Sequence, residues 1–153
     1  VPLATATWHH IVATYDGSNT VGGINLYRAG SLLTMQNLST GTYAGMASQQ
    51  GALRIGQWEL NSSVINGLVD EVAVFNSELS ASDVTAIYNS GVPASLTSLS
   101  PLGWWRMGDN DSEIAEQSAA TVSDVSGNGY HATQSDVTKQ PTFADLTGET
   151  IYS

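Results

Sequence analysis

Trp8-His9-His10-Ile11-Val12-Ala13-Thr14-Tyr15 (WHHIVATY), followed at once by Asp16-Gly17-Ser18-Asn19, decides the fold class. The residues alternate. Trp8, His10, Val12 and Thr14 fall on one side and His9, Ile11, Ala13 and Tyr15 on the other, which is the two-residue period of a strand. Asp16 to Asn19 supplies turn chemistry, Ile24 to Tyr27 (INLY) reads as the returning strand, and Arg28-Ala29-Gly30 makes the next tight turn before Ser31-Leu32-Leu33. The pattern predicts a β-meander. Residues 36–51 have no clear period and are expected to form a loop. Leu53, Ile55 and Trp58 frame another short strand around Arg54 and Gly56. Past the Asn66-Gly67 turn signal, Leu68 to Phe75 (LVDEVAVF) alternates again, with Leu68, Asp70, Val72 and Val74 opposing Val69, Glu71, Ala73 and Phe75.

One helix is expected, from Ser80 to Asn89. Ser80 suits the N-cap, Asp83 stands where a carboxylate reaches back to the cap amide, and Leu79 can staple onto Val84. Gly91 is expected to stop it. Pro93 to Pro101 (PASLTSLSP) is small, polar and bounded by prolines, so it reads as a linker. The chain accordingly divides into 1–92, a linker at 93–101, and 102–153. The last block opens on a strand-like run, Leu102 to Met107 (LGWWRM), passes through Asp109-Asn110-Asp111-Ser112-Glu113 to Asp124-Val125-Ser126-Gly127-Asn128-Gly129-Tyr130-His131, and ends in a polar tail.

Composition agrees with an all-β class. Among 153 residues, 41% are hydrophobic, and 19 Ser, 15 Thr and 15 Gly favour strands and turns over a helical bundle. Lys plus Arg number 4 against 14 Asp plus Glu, a net charge of −10 that argues against nucleic acid and anionic lipid as partners. The absence of cysteine removes disulfides, thiolate metal sites and a cysteine nucleophile together. No apolar run approaches the ~20 residues of a membrane helix, so membrane insertion is not expected. Val1-Pro2-Leu3-Ala4 has neither Met nor a basic segment and suggests a piece cut from something longer.

WHHIVATYDG at 8–17, LY..G at 26–30, LRIG at 53–56 and NGLVDEVAVFNSELSASDVTAIYNSG at 66–91 resemble the second half of a laminin-G-like jelly roll of the concanavalin A-like lectin/glucanase superfamily. The resemblance implies an antiparallel β-sandwich with one short helix. Arg28-Ala29 departs from it, since that family commonly has Val-Asp before the turn glycine. WWRMGD at 104–109 and DVSGNGYHAT at 124–133 are similar to the beginning of such a domain, so the halves stand in inverted order. A circular permutation, a boundary between tandem domains, and strand complementation between neighbouring chains are each compatible with that order. The spatial relation of residues 103–109 to 68–75 discriminates among them.

Catalysis is not expected. Glycoside hydrolysis needs two carboxylates roughly 5 to 10 Å apart, and the adjacent Asp70 and Glu71 face opposite ways on a strand. The alternating E-x-D-x-x-E acids of the superfamily's glucanases are missing. His9 and His10 also face opposite ways, which predicts one packed and one exposed histidine rather than a metal pair. Hard oxygen donors gather at Asp109, Asn110, Asp111, Asp124 and Asn128, suiting calcium, although turn formation accounts for the same residues. By the resemblance, Asp70, Asp109, Asp124 and Asn128 are where some family members hold a structural calcium; no other cofactor is expected. Trp58, Trp104, Trp105 and Tyr130, with Tyr43, are candidates for stacking on sugars. Trp8 is expected in the core. At most one of Trp104 and Trp105 is expected to be buried.

These features describe a non-enzymatic recognition or adhesion module outside a cell. Its partner would be a cell-surface glycan, or other copies of the same protein in a homo-oligomer. The alternative is a structural subunit of a virion, fibre or filament whose sandwich neighbouring copies complete. The run from WHHIVATYDG to SLSPLGWWRMGDND resembles surface proteins of marine bacteria and tailed phages, which implies an extracellular location on a virion or cell surface.

Overall fold

Residues 3–36, 51–59, 62–107 and 121–133 are described by the computed structural model. Their contacts divide them into two units, 3–36 with 74–102 and 51–73 with 103–133. The expected division at 93–101 does not coincide with these units. Residues 36–51 lie outside the described residues apart from Gln36 and Gly51, and so does the polar tail.

In the first unit, β1 (Ile11–Tyr15) and β2 (Ile24–Arg28) run antiparallel with Val12 opposite Tyr27, and β3 (Ser31–Leu32) pairs with the other edge of β2. This is the meander read from the sequence, with β1 beginning at Ile11 rather than Trp8. Arg28 pairs with Ser31 across a two-residue turn in which Ala29 (φ 49°) and Gly30 (φ 74°) are both left-handed. Such a turn matches the strand twist and favours Asn-Gly, because Ala pays for its Cβ at positive φ. Gly30 also lies under Tyr88, where an added Cβ would stand 3.0 Å from Cδ1. Ala29→Asn is therefore expected to raise stability by about 1 kcal/mol, read as an upward shift of the urea midpoint.

Helix α1 (Ala81–Tyr88) begins as its sequence requires. The Ser80 hydroxyl accepts from the Asp83 N–H at 3.1 Å while the Asp83 carboxylate accepts from the Ser80 N–H at 3.0 Å, a reciprocal cap worth about 1 kcal/mol. The helix spans the expected residues, from its Ser80 N-cap to its Asn89 C-cap. Asn89 (φ 44°) takes the left-handed position assigned to Gly91, because a short polar side chain tolerates it, and Ser90 and Gly91 follow at positive φ.

Tyr27, Leu79 and Val84 form the core of this unit, with Val12, Phe75, Ile87 and Leu99 packed against them. Val84 is fully buried, and hiding such a side chain contributes about 1.5–3 kcal/mol. Leu96 is buried as well. The proline-bounded segment is thus anchored by its leucines, and Thr97–Leu99 forms a 3-10 turn rather than a free spacer. Trp8, expected in the core, is only half-buried.

His10 shares the inward face of Val12 and Thr14, and its ring lies 5.4 Å from that of Tyr88. Both histidines are half-buried; His9 Nε2 lies 3.0 Å from the Ala4 carbonyl oxygen. His10 Nδ1 is buried and has no hydrogen-bond partner among the described residues. Burial lowers the His10 pKa from its ordinary 6.5, so the unfolded chain takes up the proton first as pH falls. Stability contributed by neutral His10 is present above pH 6.5 and is lost below it, until the folded imidazole is itself protonated. In urea unfolding between about pH 7 and 5, His10→Phe should give a flatter stability profile than the wild type.

In the second unit, β4 (Gln57–Glu59) and β5 (Ser62–Val64) form a hairpin, β6 (Val72–Val74), whose last residue belongs to the first unit, pairs with β7 (Gly103–Trp105), and β8 (Thr121–Val122) pairs with β9 (Ala132–Thr133). Strands β6 and β7, from the two segments that stand in inverted order, are neighbours in one two-stranded sheet. Strand β6 is shorter than the alternation of 68–75 predicts. Glu71 is left-handed (φ 50°) and its N–H donates to the Asp70 carboxylate at 2.9 Å, a local bond that competes with the ladder. Leu68 is accordingly 77% exposed. No helix among the described residues is long and apolar enough to cross a membrane.

Candidate functional site

Residues 124–131 form the loop between β8 and β9, and Asp124 organises it. Its carboxylate is buried and accepts four hydrogen bonds: Oδ1 from the N–H groups of Trp104 and Ser126, each at 2.9 Å, and Oδ2 from the Ser126 hydroxyl and the Tyr130 N–H, each at 2.9 Å. Burial acts most strongly on this carboxyl and pushes its pKa up, but the bonds from Trp104, Ser126 and Tyr130 together outweigh it and hold the group below the ordinary 3.8. The Asp124 N–H in turn donates to His131 Nδ1 at 3.2 Å. That bond places the proton of neutral His131 on Nε2.

Strand β7 holds the same loop from beneath. The Trp104 carbonyl accepts from the Val125 N–H at 2.8 Å, and Trp105 Nε1 donates to the Tyr130 carbonyl at 2.8 Å. Tyr130 thus has both of its main-chain polar groups engaged while its residue surface is 56% exposed. Gly127 (φ 88°) and Gly129 (φ 78°) supply the left-handed turns that bring the chain back onto Asp124.

Both tryptophans of β7 are buried, Trp104 at 7% and Trp105 at 5% exposure, which corrects the expectation that one of them faces solvent. The strand is covered on both faces. On one, Trp104 Nε1 donates to Glu71 Oε2 at 2.6 Å, Arg106 pairs with Glu71 Oε1 at 3.2 Å, and the guanidinium lies 5.5 Å from the Trp104 ring centroid. On the other, the Trp105 ring lies over Gly103, where an added Cβ would come within 2.6 Å of it. The Trp105 indole and the Trp104 main chain support the 124–131 turn, while the Trp104 indole is taken up by Glu71 and Arg106.

Of the other candidates, Tyr130 and Asn128 lie in the exposed turn, and Asn128 bonds the Ser126 hydroxyl through its N–H and Nδ2, each at 3.2 Å. Asp70 is half-buried beside Glu71. Trp58 lies in β4, but its side chain, together with Asp109, Asn110, Asp111 and Tyr43, lies outside the described residues. Among the described residues no three His, Asp or Glu side chains are grouped to hold a metal ion. Calcium at Asp124 would compete with four protein donors for its lone pairs. Sequence reasoning missed Glu71 as the partner of Trp104 and Arg106. It also missed Asp124 as an acceptor of main-chain N–H groups, although the Asp-x-Ser spacing carries that signal.

Strands β1 to β6 and the capped start of the helix that follows them fall in the stretch that a family model matches: residues 1–85 fit Laminin_G_3, of the concanavalin A-like lectin/glucanases superfamily. The chain belongs to this superfamily. Its all-β class with one short helix is that of the concanavalin A-like sandwich. No curated protein and no solved structure matches the chain. The 124–131 turn stands beyond the residues matched to the Laminin_G_3 model.

Proposed function

We propose that this protein is a non-catalytic recognition module that works outside the cell, on a cell or virion surface, and binds carbohydrate through the 124–131 turn. The observation that carries this reading is Tyr130: an exposed ring on a backbone fixed from both sides, by Asp124 and by Trp105. A ring held in place before the ligand arrives loses little freedom on stacking against the apolar face of a sugar. The superfamily supports the same class of ligand. A non-catalytic role is supported by the acids. Glu71 is engaged by Trp104 and Arg106, and Asp124 is held ionised by its donors, so neither suits a proton donor to a glycosidic oxygen.

Binding to a glycan array, with calcium and with chelator, tests the proposal. Tyr130→Ala should weaken the strongest signals by about tenfold and Tyr130→Trp should preserve them, while thermal unfolding stays near the wild-type value. Absence of glycan binding, or an unchanged profile for Tyr130→Ala, would refute it.

A second reading, a structural subunit associating with its own copies, is favoured by Leu53, Ile65 and Leu68, which are 64%, 58% and 77% exposed. Sedimentation over a wide concentration range would show it as reversible growth in mass.

A further inference from the structure

We infer that the ligand of the Tyr130 turn is a carbohydrate without anionic groups; the inference rests on the turn being a carbohydrate site. Sulfated and uronate-containing glycans are held by cations, and this chain has few to offer. Lys plus Arg number 4 against 14 Asp plus Glu. Among the described residues of the second unit the Lys and Arg side chains are Arg54 and Arg106. Arg106 is held at 3.2 Å by Glu71 and lies against the Trp104 ring, so it is committed beneath the turn.

The charged group bonded to the Tyr130 main chain is negative. The Asp124 carboxylate accepts the N–H of Tyr130 itself at 2.9 Å. Its donors are neutral amides and a hydroxyl, which orient dipoles toward the carboxylate without cancelling its charge. A sulfate or carboxylate brought onto Tyr130 would meet that field, and at longer range the −10 of the whole chain. Hydroxyl groups meet no such penalty. His131 is exposed and next in sequence, and with its Nδ1 accepting from the Asp124 N–H, its Nε2 is left to act as the donor. That donor matches a sugar hydroxyl.

The full chain tests this on an array of paired polysaccharides: dextran with dextran sulfate, a galactan with its sulfated form, and methyl-esterified polygalacturonate with the free acid. The expected result is binding to neutral members that Tyr130→Ala weakens. Their anionic counterparts should bind at least about tenfold more weakly at low salt, with the gap narrowing as salt shortens the reach of the field. Anionic members bound as tightly as their neutral partners, or more tightly, at low salt would overturn the inference and leave the carbohydrate reading standing. Binding to no member, or neutral binding unchanged in Tyr130→Ala, would overturn the site and the inference together.

Discussion

Asp124→Ala is expected to lower the free energy of unfolding by about 3 kcal/mol, the cost of leaving buried donors without an acceptor. The substitution removes one carboxylate but strands the N–H groups of Trp104, Ser126 and Tyr130 at once. Each such loss costs about 1–3 kcal/mol when the donor stays dry. The Trp104 N–H lies in a buried strand and bears the full cost, whereas water reaches the outer part of the turn, where residues 127–131 are exposed. Asp124→Asn keeps the shape and one acceptor oxygen, so about half the loss is expected. The pair also separates in acid. The folded Asp124 carboxyl titrates below its ordinary 3.8, so its contribution is complete above that value and is lost as pH falls through the lower, folded value. Wild type should lose stability in that window more steeply than Asp124→Asn. Parallel pH profiles would mean that the four bonds do not hold the carboxyl as the geometry requires.

The first unit was legible in the sequence because its signals are local. The two-residue period of 8–15, the Ala-Gly turn and the Ser80–Asp83 box each act within a few residues; the turn and the box stand where their patterns placed them, and the period holds over 11–15. The second unit was harder to read because its strands are two or three residues long and its order comes from side chains far apart in sequence. A period of two cannot reveal that Glu71 turns left-handed, since that backbone choice accompanies bonds to Trp104 and Arg106 more than thirty positions away. The same limit applies to the tryptophans. Alternation correctly sends Trp104 and Trp105 to opposite faces, but whether both faces are covered depends on tertiary partners. Tyr130 was legible as an exposed aromatic candidate, whereas the fixation of its backbone by Asp124 and Trp105 was not.

Trp105→Ala should destabilise by about 3–5 kcal/mol, the range for emptying a buried indole site. Three substitutions separate the reasons. Trp105→Phe keeps most of the apolar surface but leaves the Tyr130 carbonyl without its 2.8 Å donor, at an expected cost of about 1–2 kcal/mol. Gly103→Ala adds a methyl group 2.6 Å from Cη2 and 3.0 Å from Cζ2 of Trp105, too close for both to stay. The indole cannot simply tilt away, because its N–H is tethered to Tyr130, so overpacking of about 1–3 kcal/mol is expected. A phenylalanine ring is shorter and untethered, and the added methyl can occupy space that the indole gave up. Gly103→Ala with Trp105→Phe should therefore be more stable than the sum of the single changes predicts, by about 1 kcal/mol in a double-mutant cycle. Additivity would show that the indole is free to move and that Gly103 is small for another reason. The cycle also bears on binding. Trp105→Phe releases the Tyr130 carbonyl without touching the exposed ring, so weaker glycan binding in that variant would mean that Tyr130 works only when its backbone is held.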